Sequence, residues 1–174
     1  FCLPCFGNGS IGTVSENKGN ACTIERNKKQ MPGQKGSGIE SLDTYSTGAC
    51  SSQITFKDDT VVKVTENSRL LIDDFVFDPK QSDAGKLAMK VGMGTVRYAS
   101  GQIAKTNPQQ VAIKTPTASI AVRGTDFTAT VEELGQSTII LLPSCPDDKP
   151  SRNKDDIANN CKVGEIIVES DAGQ

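Results

Sequence analysis

Six cysteines and no histidine are the first chemical facts of this 174-residue chain. Without an imidazole, Ser-His-Asp and Cys-His nucleophile arrangements are excluded, and the commonest metal ligand is missing. Cys2-x-x-Cys5 has the spacing of a redox motif. Such a motif works at a helix start behind a strand, whereas here it opens the chain and runs into the loop-like GNGSIG. Cys2, Cys5, Cys22 and Cys50 make a conceivable zinc set, but they lack a second close-spaced pair. Paired carboxylates occur at Asp58/Asp59, Asp73/Asp74, Asp147/Asp148 and Asp155/Asp156. They invite general-acid or calcium chemistry, yet none has EF-hand spacing. Neighbours on an extended segment face opposite ways, which separates Asp73 from Asp74, and the other pairs read as solvated turn residues. GNGSIG lacks the lysine and following helix of a phosphate loop. Aromatic residues are 5% with no tryptophan, so no stacking platform for sugars or single strands is evident. The expectation is a protein that is not an enzyme, with no cofactor and no metal.

The cysteines then point to disulfides in an oxidising compartment, with fifteen possible pairings of Cys2, Cys5, Cys22, Cys50, Cys145 and Cys161. The residues between Cys145 and Cys161, PDDKPSRNKDDIANN, are polar and charged, with little reason to order unless their ends are tied. Closing that loop would be worth about 3 kcal/mol on a chain-entropy basis. A further expectation is that Cys2 or Cys5 ties an N-terminal arm to the domain through Cys22 or Cys50. Reduced thiols are the alternative. Phe1, Leu3 and Phe6 give that arm an apolar tip suited to packing on its own domain or docking on a neighbour. A net charge of −2 suggests neither nucleic acid nor an anionic membrane, and the longest apolar runs are too short to span a bilayer. A start at Phe1 fits a processed mature protein or an excised domain.

The elements that must position these groups read as strands. Short β-branched runs cover 21–26, 52–57, 60–66, 70–77, 95–100, 110–115, 119–122, 126–133, 137–142 and 163–169. FKDDTV reads as a hairpin turn in which Asp58 and Asp59 bond their own backbone. Only 78–90 has room for a helical turn or two, and 27–38 and 146–160 read as flexible or inserted segments. Strands at 8–12-residue spacing predict an all-β fold, a sandwich, barrel or solenoid, without the strict repeat of a regular solenoid.

The stretch KTPTASIAVRGTDFTATV carries a resemblance. A DD-T turn leads into an alternating strand at Asp58, Asp59 and Thr60. Later a TP at Thr115 and Pro116 opens the strand that runs into Arg123, Gly124 and Thr125, followed by the aromatic Phe127. This order resembles FecR-type domains, the periplasmic module of iron-uptake signalling regulators that also recurs in secreted bacterial proteins. The resemblance implies a twisted β-solenoid or sandwich-like module over 12–142, after an N-terminal arm at 1–11 and before a disulfide-bounded loop and C-terminal strand at 143–174. In it, Arg-Gly-Thr is a fold-defining corner. Pro116 sits at a strand start, Gly124 lets the backbone bend, and Arg123 donates to carbonyls freed at the bend. The implied work is protein contact. Two expectations follow, the first the leading one and the second its alternative. One is an extracellular structural β-module that assembles with copies of itself, as a homo-oligomer or filament, or with a larger surface or virion structure. The other is a periplasmic sensor module of FecR-type cell-surface signalling.

Overall fold

The computed structural model describes residues 9–81, 84–143 and 164–170. The candidate cysteines Cys2, Cys5, Cys145 and Cys161, the acid pairs of the 146–160 loop and the N-terminal arm up to residue 8 lie outside the described residues. The strands are β1 (Gly12–Lys18), β2 (Cys22–Arg26), β3 (Lys29–Pro32), β4 (Gly38–Ile39), β5 (Thr44–Thr47), β6 (Ser51–Phe56) and β7 (Val61–Val64). There follow β8 (Arg69–Val76), β9 (Lys86–Ala99), β10 (Val111–Lys114), β11 (Ala118–Arg123), β12 (Asp126–Val131), β13 (Ser137–Leu142) and β14 (Glu165–Ser170). One short helix, α1 (Gln102–Thr106), and a 3-10 turn at Pro108–Gln110 follow β9.

All fourteen strands belong to one curled, mainly antiparallel sheet organised about β9. The first half of β9 pairs with β8 and, in parallel, with β10; its second half pairs with β7 and β12. Two ladders therefore share this strand. One runs β3-β2-β5-β8-β9-β10-β11-β14, the other β4-β1-β6-β7-β9-β12-β13. The change of ladder falls at GMG, where Gly94 takes φ +82 and lies against Ser68 so closely that a β-carbon would collide with it. Strict alternation explains the inward faces: β6, β11 and β12 each bury every second residue. Those faces meet in a single core. Phe56 of one ladder stacks on Phe75 of the other with centroids 5.5 Å apart, and Tyr98 stacks on Phe127 at 5.3 Å.

Several expectations change here. The segment 78–90 keeps only tight turns at its start, with Gln81 N–H donating to Asp78 O and Ala84 N–H to Gln81 O, and its latter part, Lys86 onward, is the first half of β9. Lysine, alanine and methionine are good helix formers, but pairing on both edges of the strand overrides that local preference. The helix sits instead at α1. The segment 27–38 is not simply an insertion. Asn27 and Lys28 turn with positive φ to form a β2–β3 hairpin, and β4 follows.

Candidate functional site

The sequence singled out the Arg-Gly-Thr corner, and the structure places it where the chain leaves one ladder in β11 and enters the other in β12. Gly124 turns with φ +64, and the nearest atom to a β-carbon there would be Ala104 O at 3.7 Å. Glycine is thus required by conformation and not by space. The far side of the corner is stitched to the end of β9: Ser100 N–H donates to Asp126 Oδ1 at 3.0 Å, and its hydroxyl donates to Thr125 O at 2.6 Å. Thr125 and Phe127 are fully buried. Arg123 does not donate to freed carbonyls as expected. Its guanidinium is exposed and pairs with Glu165 of β14 at 3.4 Å, because β14 occupies the edge beside β11. Thr115 holds the turn before β11, giving its hydroxyl to Ala118 O at 3.3 Å and accepting Ala118 N–H at 3.0 Å, with Pro116 exposed just ahead of the strand.

The DD-T turn joins β6 to β7, and here the reading of solvated acids fails for Asp58. Its side chain is fully buried. It accepts Thr60 N–H at 3.1 Å, Thr60 Oγ1 at 2.7 Å and Ile103 N–H at 3.3 Å, so it closes the turn and caps α1 at once. Asp59 is exposed in the left-handed region and accepts Gln102 Nε2 at 2.7 Å. Gly101 is pressed so tightly on Asp58 O and Thr60 that no β-carbon fits. Burial, before the charge of nearby Asp58, pushes the Tyr98 hydroxyl upward from its ordinary value. Tyr45 is raised too, mainly by burial; its hydroxyl donates to Gly33 O at 2.6 Å.

The pair Asp73/Asp74 also departs from expectation. A bulge between Ile72 and Asp74 keeps both carboxylates on the outer face instead of opposing them. Each is matched by a lysine of β9, Asp73 to Lys90 at 3.1 Å and Asp74 to Lys86 at 2.8 Å.

Cys22 and Cys50 are bonded to each other. This corrects the expected tie of either one to the N-terminal arm and removes both from the conceivable zinc set, since a disulfide sulfur is no thiolate ligand. Among the described residues no three His, Cys, Asp or Glu side chains gather to hold a metal ion, and no helix is long and apolar enough to cross a membrane. The bond links β2 of one ladder to the turn entering β6 of the other. Closing this 28-residue separation is worth roughly 3.5 kcal/mol on a chain-entropy basis.

One polar cluster was not anticipated. Arg26, at the end of β2, reaches Asp43 with Nε at 2.8 Å and Nη2 at 2.7 Å, Glu40 with Nη1 at 2.6 Å, and Gly38 O at 2.9 Å. Asp43 is fully buried and also accepts Glu40 N–H at 2.8 Å. The hydrogen bonds that Arg26 donates to Asp43, with the charges of Asp43 and Glu40, hold the guanidinium above its ordinary value against the opposing effect of burial. The clamp fixes the loop between β4 and β5, where Leu42 stands exposed with φ +70. The only sequence signal for it was an acid-rich ESLD ahead of a strand.

The sheet edges complete the surface. Among the described residues β3 and β14 end one ladder, and β4 and β13 end the other. Ile140 of β13 and Leu134 of the β12–β13 turn are large, apolar and exposed.

Set against known proteins, residues 43–142 match the family described as FecR protein. No curated protein and no solved structure matches the chain. Neither the geometry nor these comparisons supports a filament or virion role, the first of the two functional expectations.

Proposed function

This chain belongs to the FecR protein family, matched over residues 43–142, and we propose that it is a non-enzymatic, extracytoplasmic β-module that acts by binding another protein, as the sensor part of FecR-type cell-surface signalling. The family match carries the reading. Its geometry supports it in three ways. The buried carboxylates are engaged internally, Asp43 by Arg26 and Asp58 by Thr60 and Ile103, which leaves their charge for holding loops and not for handling a substrate. The surface offers strand edges and exposed apolar side chains, the groups that proteins use to meet other proteins. The Cys22–Cys50 bond suits the periplasm or the exterior.

We read the curled sheet as sandwich-like. Every strand pairing but β9–β10 is antiparallel, and the two ladders face one core, whereas a solenoid stacks successive coils.

The test is calorimetric titration of the non-reduced chain with the periplasmic signalling domains of its host's outer-membrane transporters. One-to-one binding in the micromolar range or tighter, about −8 kcal/mol, is expected. Absence of binding to every such domain in its host would remove the sensor reading.

A further inference from the structure

Among the described residues the sheet has four edges, and they are not equally protected. An unpaired edge is normally blunted by shortness, charge or proline, because its free N–H and C=O groups invite another strand. β4 has only two residues. β3 carries Lys29 and Pro32. β14 carries Glu165 and Glu169. β13, STIILL, has none of these devices: six residues, no charge and no proline within the strand.

The hydrogen-bond phase of β13 follows from its hairpin. Gly135 N–H donates to Glu132 O at 2.8 Å and Glu132 N–H to Gln136 O at 2.9 Å, with Gly135 in the left-handed region. From there the antiparallel pattern alternates. Thr130/Thr138 and Thr128/Ile140 exchange the ladder bonds, while Ser137, Ile139 and Leu141 aim their N–H and C=O groups away from β12. Ser137, Ile139 and Leu141 lie opposite the buried Val131, Ala129 and Phe127, so their side chains lean on the core face. Thr138 and Ile140 stand on the outer face, Ile140 55% exposed.

These three outward residues are symmetric about Ile139. We propose that β13 pairs antiparallel with β13 of a second copy of this chain, Ile139 opposite Ile139 and Ser137 opposite Leu141, to give a two-fold dimer with one sheet continuous across it. The pairing is self-complementary: each strand supplies outward donors and acceptors in the same spacing, and no charged side chain lies within either partner strand. Ile140 of each copy then covers the outer face beside Thr138 of the other. An isologous contact of this kind closes on itself, so it yields a dimer and not a fibre. With one strand pair at its centre, it belongs to the small, reversible class of interfaces. The inference does not depend on the sensor reading, since it uses only the edge itself.

The test uses the full, non-reduced chain. Sedimentation velocity over a wide concentration range should show a monomer–dimer equilibrium. Hydrogen exchange read by NMR should show the amides of Ser137, Ile139 and Leu141 gaining protection as concentration rises, with those of Thr138 and Ile140 already protected in the monomer. Leu141→Pro removes an outward donor without taking one from the β12 ladder, and Ile140→Lys supplies the missing charge. Each should weaken dimerisation by about tenfold or more, with circular dichroism establishing that the fold is intact. Three results would each overturn the proposal. One is a monomer at every concentration. Another is outward amides already slow in the dilute monomer, which means the chain covers its own edge. The third is a dimer unmoved by both substitutions, which places the contact elsewhere.

Discussion

Replacing Arg26 with methionine tests whether the buried clamp, and not the general packing of the sheet, holds the 38–43 loop. The change keeps an apolar stem of similar length and removes every bond to Asp43, Glu40 and Gly38 O. Asp43 is then left as a carboxylate with no exposed surface and one remaining donor, Glu40 N–H. Stranding one member of a buried ion pair costs about 3–5 kcal/mol. Glu40 is different: its side chain is 26% exposed, so Glu40→Gln should cost no more than about 1 kcal/mol. Removing both ends of the buried pair, in Arg26→Met with Asp43→Leu, should recover much of the loss, because no orphaned charge remains. Urea denaturation followed by far-ultraviolet circular dichroism separates these cases through the transition midpoints. The reasoning is refuted if Arg26→Met lies within about 1 kcal/mol of the parent, or if the double replacement is no better than the single one.

Asp58→Ala orphans Thr60 N–H, the Thr60 hydroxyl and Ile103 N–H together, and should cost about 3 kcal/mol or more; Asp59→Gly, at an exposed position already in the left-handed region, should be close to neutral. Equal losses from the two, in the same denaturation assay, would contradict the distinct roles of these neighbours. The chain has two tyrosines, Tyr45 and Tyr98, and burial raises both. A raised folded-state value means the unfolded chain ionises first. Stability from this source is therefore complete below the ordinary tyrosine value near about 10 and is lost as pH climbs above it. Ultraviolet titration should find both phenols un-ionised in the native protein just above that pH, with ionisation and unfolding coincident at higher pH. A normal titration of either phenol in folded protein would contradict its burial.

Much of the sheet was legible because alternation is a local property. SSQITF, ASIAVR and DFTATV bury every second residue, and period two in the sequence survives as period two in the core. The polar GTVSENK, the two-residue β4 and the short β5 lack enough of that signal and form only because partner strands receive them. The first half of β9 was masked by helix-favouring lysine, alanine and methionine. At the site, the corner glycine was legible from its place inside an alternating strand. Three features were not: the burial of Asp58, the pairing of Cys22 with Cys50, and the reach of Arg26 to Asp43. Each depends on which distant segments the fold brings together, and residue type carries no record of that.

The shared strand β9 has a bearing on how the chain acquires this shape. Before residue 86 is available, β1, β4, β6 and β7 can pair as strands only with one another, and β2, β3, β5 and β8 form a separate ladder. A chain delivered amino end first therefore holds two half-sheets that no strand ladder joins, in touch only through their faces, as where Phe56 stacks on Phe75. Only when 86–99 arrives does a single segment clasp both sets and offer β10 and β12 their places. Assembly is governed by this late, long-range closure, which makes the fold intrinsically slow and leaves its two halves open to wrong partners until the clasp is in place. The Cys22–Cys50 bond, which connects the two sets before β9 is needed, shortens that search.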